Sequence, residues 1–231
     1  MDAVPVIYCA SAKRAYGVLK KFYHGILVAV STMAAKKKHV ATRNQQGCSI
    51  RIYTLPCLIL FLSENTMEHT YKGITIRTDL KPGDMGYIIY LHGWLYKKEY
   101  DYGIPFETYV AQGFCEFYQQ YDPQRDCAWI CEASHNIIGF LLLMHRTNNA
   151  AQLRFFIILP QYRGIGLGKK LMELYLQWMR EHQYQSAYLW TTHEQQEAAA
   201  LYKKYGFTLT EQHESTSFGK PLIEQRYELL I

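Results

Sequence analysis

The chain has 231 residues, 49% of them hydrophobic, and a formal net charge of +5. This length allows one or two domains, and the globular composition excludes a disordered or repetitive chain. The six cysteines are too few for a disulfide scaffold, and none forms a Cys-x-x-Cys pair. We therefore expect free thiols, no metal centre and a reducing, cytoplasmic compartment.

The positive charge is confined to the first part of the chain. Residues 1–66 carry nine Lys or Arg against two Asp or Glu, whereas residues 67–231 carry sixteen against eighteen. The apolar runs at 25–30 and 55–62 are too short to span a bilayer, and the signal-peptide pattern is weak. We expect residues 1–66 to be a basic, poorly ordered appendage, or to precede the natural start at Met67, and residues 67–231 to form one domain.

From Gly73 the hydrophobic pattern becomes regular. The polar turn Ser134-His135-Asn136 between two apolar runs predicts an antiparallel hairpin. The elements predicted before and around this turn are a strand at 74–77, helices at 85–96 and 106–121, and strands at 127–131 and 137–143.

A glycine-rich turn follows the next strand. Residues 152–160 have the length and apolar density of a buried strand, and apolar residues recur at helical spacing from Leu171 to Met179. Between them stands Gln161-Tyr162-Arg163-Gly164-Ile165-Gly166-Leu167-Gly168-Lys169. Glycines admit unusual backbone angles, and the first turn of a helix presents unpaired N–H groups. Such a turn is a candidate site for phosphate oxygens, although a tight turn without a ligand gives the same pattern.

The spacing of these glycines argues against two classes of phosphate ligand. It differs from the dinucleotide fingerprint, and no Gly-Lys-Ser/Thr follows as in a nucleoside triphosphate loop. Downstream, the pattern predicts a strand at 186–192, a helix at 194–205 that Gly206 ends, and strands at 207–214 and 226–230.

Two of these segments resemble the GNAT acyltransferases. The stretch Gln161-Tyr162-Arg163-Gly164-Ile165-Gly166 resembles the Gln/Arg-x-x-Gly-x-Gly/Ala signature with which that family binds the pyrophosphate of acyl-coenzyme A. The stretch 200–207 resembles its Leu-Tyr-x-x-x-Gly-Phe segment, in the right order and at about the right distance. Over residues 72–231 the resemblance implies an α+β GNAT (acyl-CoA N-acyltransferase) fold, with a central mixed, mostly antiparallel sheet of about seven strands flanked by four helices.

The chain looks most like the acetyltransferase half of bacterial proteins that fuse this domain to a MarR-type winged-helix regulator. Residues 1–66 are too short and differently patterned for the regulator, so DNA binding is not carried over. The resembling pieces are His92-Gly93-x-Leu95-Tyr96, Glu99-Tyr100, Phe117, Asp122-Pro123, Ala151-Gln152-Leu153-Arg154, Leu189-Trp190-Thr191 and Ser217-Phe218-Gly219.

The resemblance implies acetyl-CoA as co-substrate. Main-chain N–H groups of 163–169 would hold the pyrophosphate, and the central strand around 157–159 would splay from its neighbour to meet the pantetheine and polarise the thioester. Lys169 would add charge unless it is only a surface residue, and Gln195 stands where the family often has Asn. The predicted cofactor-binding residues are Ile157, Ile158, Leu159, Gln161, Tyr162, Arg163, Gly164, Ile165, Gly166, Leu167, Gly168, Lys169 and Gln195.

Tyr202 matches the tyrosine of the family segment and is the predicted general acid. A phenol of pKa about 10 suits the protonation of a departing thiolate of pKa about 8.5. The alternative is that Tyr202 only packs. The attacking amine also needs a base, for which Glu99, His92 and His193 are candidates, although each side chain can equally be solvated or structural.

Arg154 lies inside an apolar strand, where a buried charge needs a partner. It either binds a substrate carboxylate or pairs with Glu99 or Glu132. The predicted acceptor-binding residues are His92, Tyr96, Tyr100, Arg154 and His193.

The reading that these patterns favour is an N-acetyltransferase in which a primary amine attacks acetyl-CoA directly in a ternary complex. A non-catalytic acyl-CoA sensor would need Gly164 and Gly166 but not the Tyr202 hydroxyl. A nucleic-acid-binding regulator would need a basic face that residues 67–231 do not supply. The acceptor is a small-molecule amine or a protein amine, since a fold does not fix a substrate. We expect no nucleic acid or membrane partner, and a homodimer is left open.

Overall fold

One mixed sheet of eight strands runs through the part of the chain that the structure, a computed structural model, describes, which is residues 68–231. The prediction for residues 1–66 lies outside this part. The strands are β1 His69–Tyr71, β2 Ile74–Arg77, β3 Cys127–Ala133, β4 Asn136–Arg146, β5 Ala150–Ile158, β6 Ser186–Thr192, β7 Thr208–Ser215 and β8 Leu222–Leu230. The helices are α1 Asp84–Tyr100, α2 Ile104–Gln120, α3 Leu167–Glu181 and α4 Gln196–Lys204.

The strands are ordered β1-β2-β3-β4-β5-β6-β8-β7, and every neighbouring pair is antiparallel except β5 and β6. This confirms the predicted α+β fold with its mixed, mostly antiparallel sheet and four helices. The sheet has one strand more than the seven predicted. The additional strand is β1, whose three residues are too few to show a hydrophobic period.

Helices cover both faces of the sheet, so its middle strands are buried on both sides. Along β4, Ile138, Leu141 and Leu143 belong to the core on the α3 side. Phe140 and Leu142, which alternate with them, belong to the core under α1 and α2. This double burial explains why β4 reads as a continuous apolar run rather than as an alternating one.

Two boundaries differ from the prediction in ways that affect the site. Helix α1 continues to Tyr100, where Asp101 leaves the helix with φ 58°, so Glu99 lies in the helix rather than in the loop after it. Strand β8 begins at Leu222 instead of 226, which brings Glu224 into the sheet. The polar side chains in this stretch obscure the apolar period on which the prediction depended.

The central strand leaves its parallel neighbour after three residues. Strand β5 pairs with β6 only from Ala150 to Gln152. Further along, β5 carries an extra residue relative to β4, because Leu142 lies opposite Arg154 whereas Phe140 lies opposite Ile157. The predicted splay is confirmed, and a β-bulge that was not predicted accompanies it. Together they open a cleft in the sheet.

None of the four described helices combines the length and hydropathy that a bilayer-spanning helix requires.

Candidate functional site

The cleft between β5 and β6 continues into two adjoining cavities. The turn cavity, of about 790 Å³ with its open mouth, lies against the glycine turn and includes Ile158, Arg163, Gly164 and Gly168. The inner cavity, of about 660 Å³ with its open mouth, lies below α1 and α2. The lining residues common to both are Tyr96, Phe156, Gln195 and Tyr202. A long ligand can therefore run from the turn into the interior past these four side chains.

The glycine turn presents main-chain groups to the turn cavity. Gly164 has φ 74°, and a Cβ added there would meet no atom within 4 Å, so its surface is open. Gly166 has φ 91°, and its Cβ would lie 2.6 Å from the Tyr71 hydroxyl. That hydroxyl donates to the Ile165 carbonyl at 3.1 Å, and Lys72 Nζ donates to the same oxygen at 2.9 Å. The turn is thus held in place by contacts that only glycine permits.

Helix α3 begins at this turn with an uncovered amino end. Gly166 precedes the helix, and no side chain of the described residues caps it. The first intrahelical bond found there runs from the Lys170 N–H to the Gly166 carbonyl. The N–H groups of the first turn are therefore available to an anion, and the helix dipole adds partial positive charge.

Arg163 is held by an ion pair. Its guanidinium contacts both Glu99 carboxylate oxygens, at 2.9 and 3.0 Å, and its Nε donates to the Ile158 carbonyl at 2.9 Å. The pair joins α1 to the turn and offsets the charge of Arg163. Glu99 lines the turn cavity and not the inner one. The predicted roles of Arg163 at the phosphates and of Glu99 as a base stay predictions, and both residues are already paired.

Tyr202 lies where the two cavities meet. It projects from α4, is 5% exposed, and its hydroxyl has no hydrogen-bond partner among residues 68–231. Burial raises its pKa, with the nearby Tyr100 adding to the effect. Burial also raises the pKa of Tyr96, which faces the same junction. Both phenols therefore keep their protons near neutral pH.

Gln195 stands at the same junction, before the first turn of α4. Thr191 donates from Oγ1 to Gln195 Oε1 at 2.8 Å, which fixes the carboxamide. Gln195 lines both cavities and stands where the family often has Asn.

The bulge in β5 turns two consecutive side chains toward α2. Phe155 adopts φ 55°, a conformation that non-glycine residues rarely take in a strand. As a result Arg154 contacts Glu116 at 3.0 Å while Phe155 stacks on Phe114 at 4.6 Å. Strain of this kind, on the order of 1–3 kcal/mol, is typical of functional sites.

The partner of Arg154 is not one that we predicted. Glu132 is bound to Arg77, at 2.8 Å, and Glu99 is bound to Arg163. Arg154 pairs instead with Glu116 on α2, a residue to which no sequence motif pointed. Pairing with Glu99 or Glu132 is therefore wrong, while the other alternative, contact with a substrate, remains compatible with the place of Arg154 on the inner cavity.

His92 and His193 have separate positions. His92 lines the inner cavity at 2% exposure; its Nδ1 donates to the Ile88 carbonyl at 2.9 Å, and Nε2 has no partner among the described residues. His193 is exposed, accepts from the Ile223 N–H at 3.1 Å and lies in another groove. The prediction that placed His193 in the cleft is wrong, because the chain turns outward after β6.

Tyr100, which was predicted, and Glu224, which was not, also border the site. Tyr100 lines only the turn cavity, beside Glu99. Glu224 on β8 lines the inner cavity, and its carboxylate makes no hydrogen bond or ion pair with another described residue. Glu224 was not among the predicted site residues because β8 was predicted to begin at residue 226. Within residues 68–231 no three His, Cys, Asp or Glu side chains are arranged to hold a metal ion.

The burial of His92 predicts a pH-dependent stability. Burial lowers its pKa to about 4, so the folded protein keeps the ring neutral while the unfolded chain takes up a proton below about pH 6.5. The contribution of His92 to the free energy of unfolding is complete above that pH. Below it, the free energy of unfolding falls by about 1.4 kcal/mol per pH unit toward pH 4. Urea unfolding measures how much free energy of unfolding is lost between pH 7 and pH 5. This loss should be about 2 kcal/mol smaller in His92→Gln than in the unsubstituted protein. Equal losses would show that the fold does not hold this ring neutral.

The chain belongs to the acetyltransferase (GNAT) family, whose model matches residues 92–207, half of the chain. It is also 33% identical over 95 residues to the uncharacterized N-acetyltransferase YjgM of Escherichia coli K12, a match that covers 40% of this chain and 57% of that protein. This chain therefore spans less than two thirds of that relative.

Solved structures of the same fold agree with this assignment. An acetyltransferase of the GNAT family from Staphylococcus aureus Mu50 matches 68% of this chain and 98% of its own, with a TM-score of 0.56 and 20% identity. Spermidine N-acetyltransferase from Vibrio cholerae, in complex with CoA and spermine, matches 69% of this chain and 96% of its own, with a TM-score of 0.53 and 22% identity. At these identities the likeness establishes the fold.

Proposed function

We propose that the protein transfers an acetyl group from acetyl-CoA to a primary amine, which attacks the thioester directly in a ternary complex. The observation that carries this proposal is the pair of cavities that meet at Tyr202. One cavity begins at the glycine turn, where an anion could bind, and aromatic side chains line much of the other. Two reactants entering from opposite ends would meet beside the Tyr202 hydroxyl.

The turn cavity fits the cofactor half of this reaction. The open surface of Gly164 and the N–H groups at the start of α3 would hold the diphosphate. Lys169, in the first turn of that helix, would add a positive charge. Beyond Gln152, β6 supplies no ladder partner to β5, so the free edge of β5 could pair with the amide groups of the pantetheine. The bulge at Phe155 would direct main-chain dipoles at the thioester oxygen.

The chemistry then needs one acid and one base. The substrate ammonium must first lose a proton, directly or through water, because only the neutral amine can attack. As the amine nitrogen forms its bond to the acetyl carbon, the carbon–sulfur bond breaks and Tyr202 gives its proton to the departing sulfur. The second proton of the amine nitrogen then passes, directly or through water, to the Tyr202 phenolate, which restores the acid. Glu224 is the carboxylate we assign to the deprotonation of the ammonium, because it borders the inner cavity and is unpaired, whereas Glu99 is committed to Arg163.

Other readings make different predictions. A sensor of acyl-CoA would bind the cofactor without turnover. The polyamine acceptor named for the Vibrio cholerae protein carries several positive charges, whereas the inner cavity here offers Glu224 and, opposite in sign, Arg154. Four further statements stay predictions. They are the likeness to the acetyltransferase half of MarR fusion proteins, the separation of residues 1–66 from the domain, the cytoplasmic and bacterial setting, and the homodimer.

The direct test is release of free thiol from acetyl-CoA by the full chain in the presence of a panel of primary amines. Mass spectrometry of the amine should show the addition of one acetyl group. We expect release that depends on the amine. Calorimetric binding of acetyl-CoA without amine-dependent release would favour the sensor instead.

The assignment of the base predicts a difference between two carboxylates. Glu224→Gln should lower kcat/KM for the amine roughly 100-fold at pH 7, the lower end of what a general base contributes. The deficit should shrink toward pH 9.5, where the free amine no longer needs a base. Initial rates over this pH range measure both effects.

Glu99→Gln is the matched control for this prediction. It breaks the pair with Arg163, so we expect mainly a higher KM for acetyl-CoA and little change in the pH profile. If Glu99→Gln produced the pH-dependent deficit and Glu224→Gln did not, the base would be Glu99.

A further inference from the structure

The charges that line the inner cavity indicate which class of amine it binds. Arg154 stands on one wall and Glu224 on another, so one cation and one unpaired carboxylate face the same space. The remaining walls are largely aromatic and include Phe106, Tyr109 and Phe218. If the chain is the acetyltransferase proposed above, this space receives the amine.

Arg154 is only partly neutralised by the protein. Glu116 divides its carboxylate between two guanidinium groups, with Oε1 at 2.7 Å from Arg146 NH1 and Oε2 at 3.0 Å from Arg154 NH1. The three side chains together retain one positive charge. The Arg154 side chain is 10% exposed, and its Nε and NH2 groups have no partner among the described residues. A guanidinium so removed from water is poorly compensated by half a carboxylate.

The position of this guanidinium is fixed by what surrounds it. It lies over the rings of Tyr109 and Phe155, at 5.2 and 4.7 Å from their centres. Gly113 of α2 gives it room, since a Cβ there would come within 2.8 Å of Arg154 NH2 and 2.5 Å of the Phe155 ring. Glycine inside a helix costs about 1 kcal/mol relative to alanine. The local structure therefore keeps space for a planar guanidinium whose Nε and NH2 donor groups are free.

We propose that the acceptor is an aminocarboxylate, specifically an amino acid with an apolar side chain. A fixed guanidinium with free donors is the residue that best recognises a carboxylate, through two parallel hydrogen bonds. Glu224 supplies the opposite charge for the ammonium, and the aromatic walls accept the apolar side chain. The inference rests on the proposed acetyl transfer and adds to it the class of the acceptor.

Matched pairs of acceptors test this inference in the full chain. Each pair differs only in the carboxylate: L-phenylalanine against 2-phenylethylamine, and L-leucine against 3-methylbutylamine. The unsubstituted protein should show a kcat/KM about 30-fold or more higher for each acid, as expected for hydrogen bonds to a charged group. Arg154→Gln should remove this preference, because KM should rise much more for the acids than for the amines.

Arg146→Gln is the matched control, because Arg146 binds the same Glu116 but does not line the inner cavity. It should keep the preference for acids. Arg154→Lys retains the charge without the two-donor geometry and should lose most of the preference. If Arg154→Gln does not fold, the inference is still tested by Arg154→Lys and by the comparison of acceptors in the unsubstituted protein.

The contrary outcomes are distinct. Equal rates on the acid and its amine, or faster acetylation of 1,4-diaminobutane, would overturn the inference while leaving acetyl transfer intact. So would an Arg154→Gln variant that slows acids and amines alike, because Arg154 would then be only structural. Absence of acetylation with every amine would instead contradict the proposed function.

Discussion

Gly164→Glu is expected to weaken acetyl-CoA binding about 1,000-fold. The Cβ of residue 164 points into open space beside the first turn of α3, where the diphosphate would lie. A carboxylate there takes that volume and repels the phosphates. Two unit charges about 4 Å apart near a protein surface repel by about 4 kcal/mol, close to three powers of ten in affinity. Isothermal titration of acetyl-CoA into both proteins measures the change.

Gly83→Glu provides a matched control for this effect. Gly83 also precedes a helix, also has positive φ, at 100°, and also has no atom within 4 Å of an added Cβ. It borders neither cavity. The control should bear the same backbone strain and added charge yet bind acetyl-CoA normally. Equal weakening in the two variants would mean that Gly164 acts through stability and not through the ligand.

Tyr202→Phe is expected to lower kcat roughly 100-fold or more, the range of general acid catalysis, while acetyl-CoA binding stays nearly unchanged. The hydroxyl makes no hydrogen bond with another described residue, so its loss should disturb little in the resting protein. Burial raises the pKa of this phenol, so the hydroxyl carries its proton throughout the neutral range. Steady-state rates and calorimetry on the same preparation separate turnover from binding.

Tyr205→Phe is the control on the same helix. Its hydroxyl donates to the Lys169 carbonyl at 3.1 Å and borders neither cavity, so kcat should change little. Proportional losses of binding and turnover in Tyr202→Phe would remove Tyr202 as the acid. A larger loss of kcat in Tyr96→Phe would transfer the role to the other phenol at the junction.

The sequence predicts those parts of the fold whose signal is local. The strand at 186–192 has the predicted bounds, and the glycine turn, the hairpin at Ser134–Asn136 and the splayed central strand are found where the patterns and the family resemblance placed them. Glycines, polar turns and hydrophobic periods act on neighbouring residues, so one sequence suffices to recognise them. The glycine turn and Tyr202 could be predicted as site residues for the same reason, because each belongs to a contiguous sequence motif.

The parts that the sequence does not predict depend on contacts between distant segments. Glu116 becomes the partner of Arg154 only because a bulge turns the Arg154 side chain toward α2. No local sequence pattern predicts this bulge. Glu224 enters the inner cavity through the early start of β8. His193, the residue directly after β6, leaves the cleft because the chain turns outward. The acceptor side of the site is therefore the part that required the structure.

The most direct test of the account is a crystal structure of the protein with coenzyme A. We expect the diphosphate on the main-chain N–H groups of residues 163–169, the pantetheine along the free edge of β5, and the sulfur within hydrogen-bonding reach of the Tyr202 hydroxyl. A diphosphate bound elsewhere, or a sulfur that ends away from the junction of the two cavities, would contradict it.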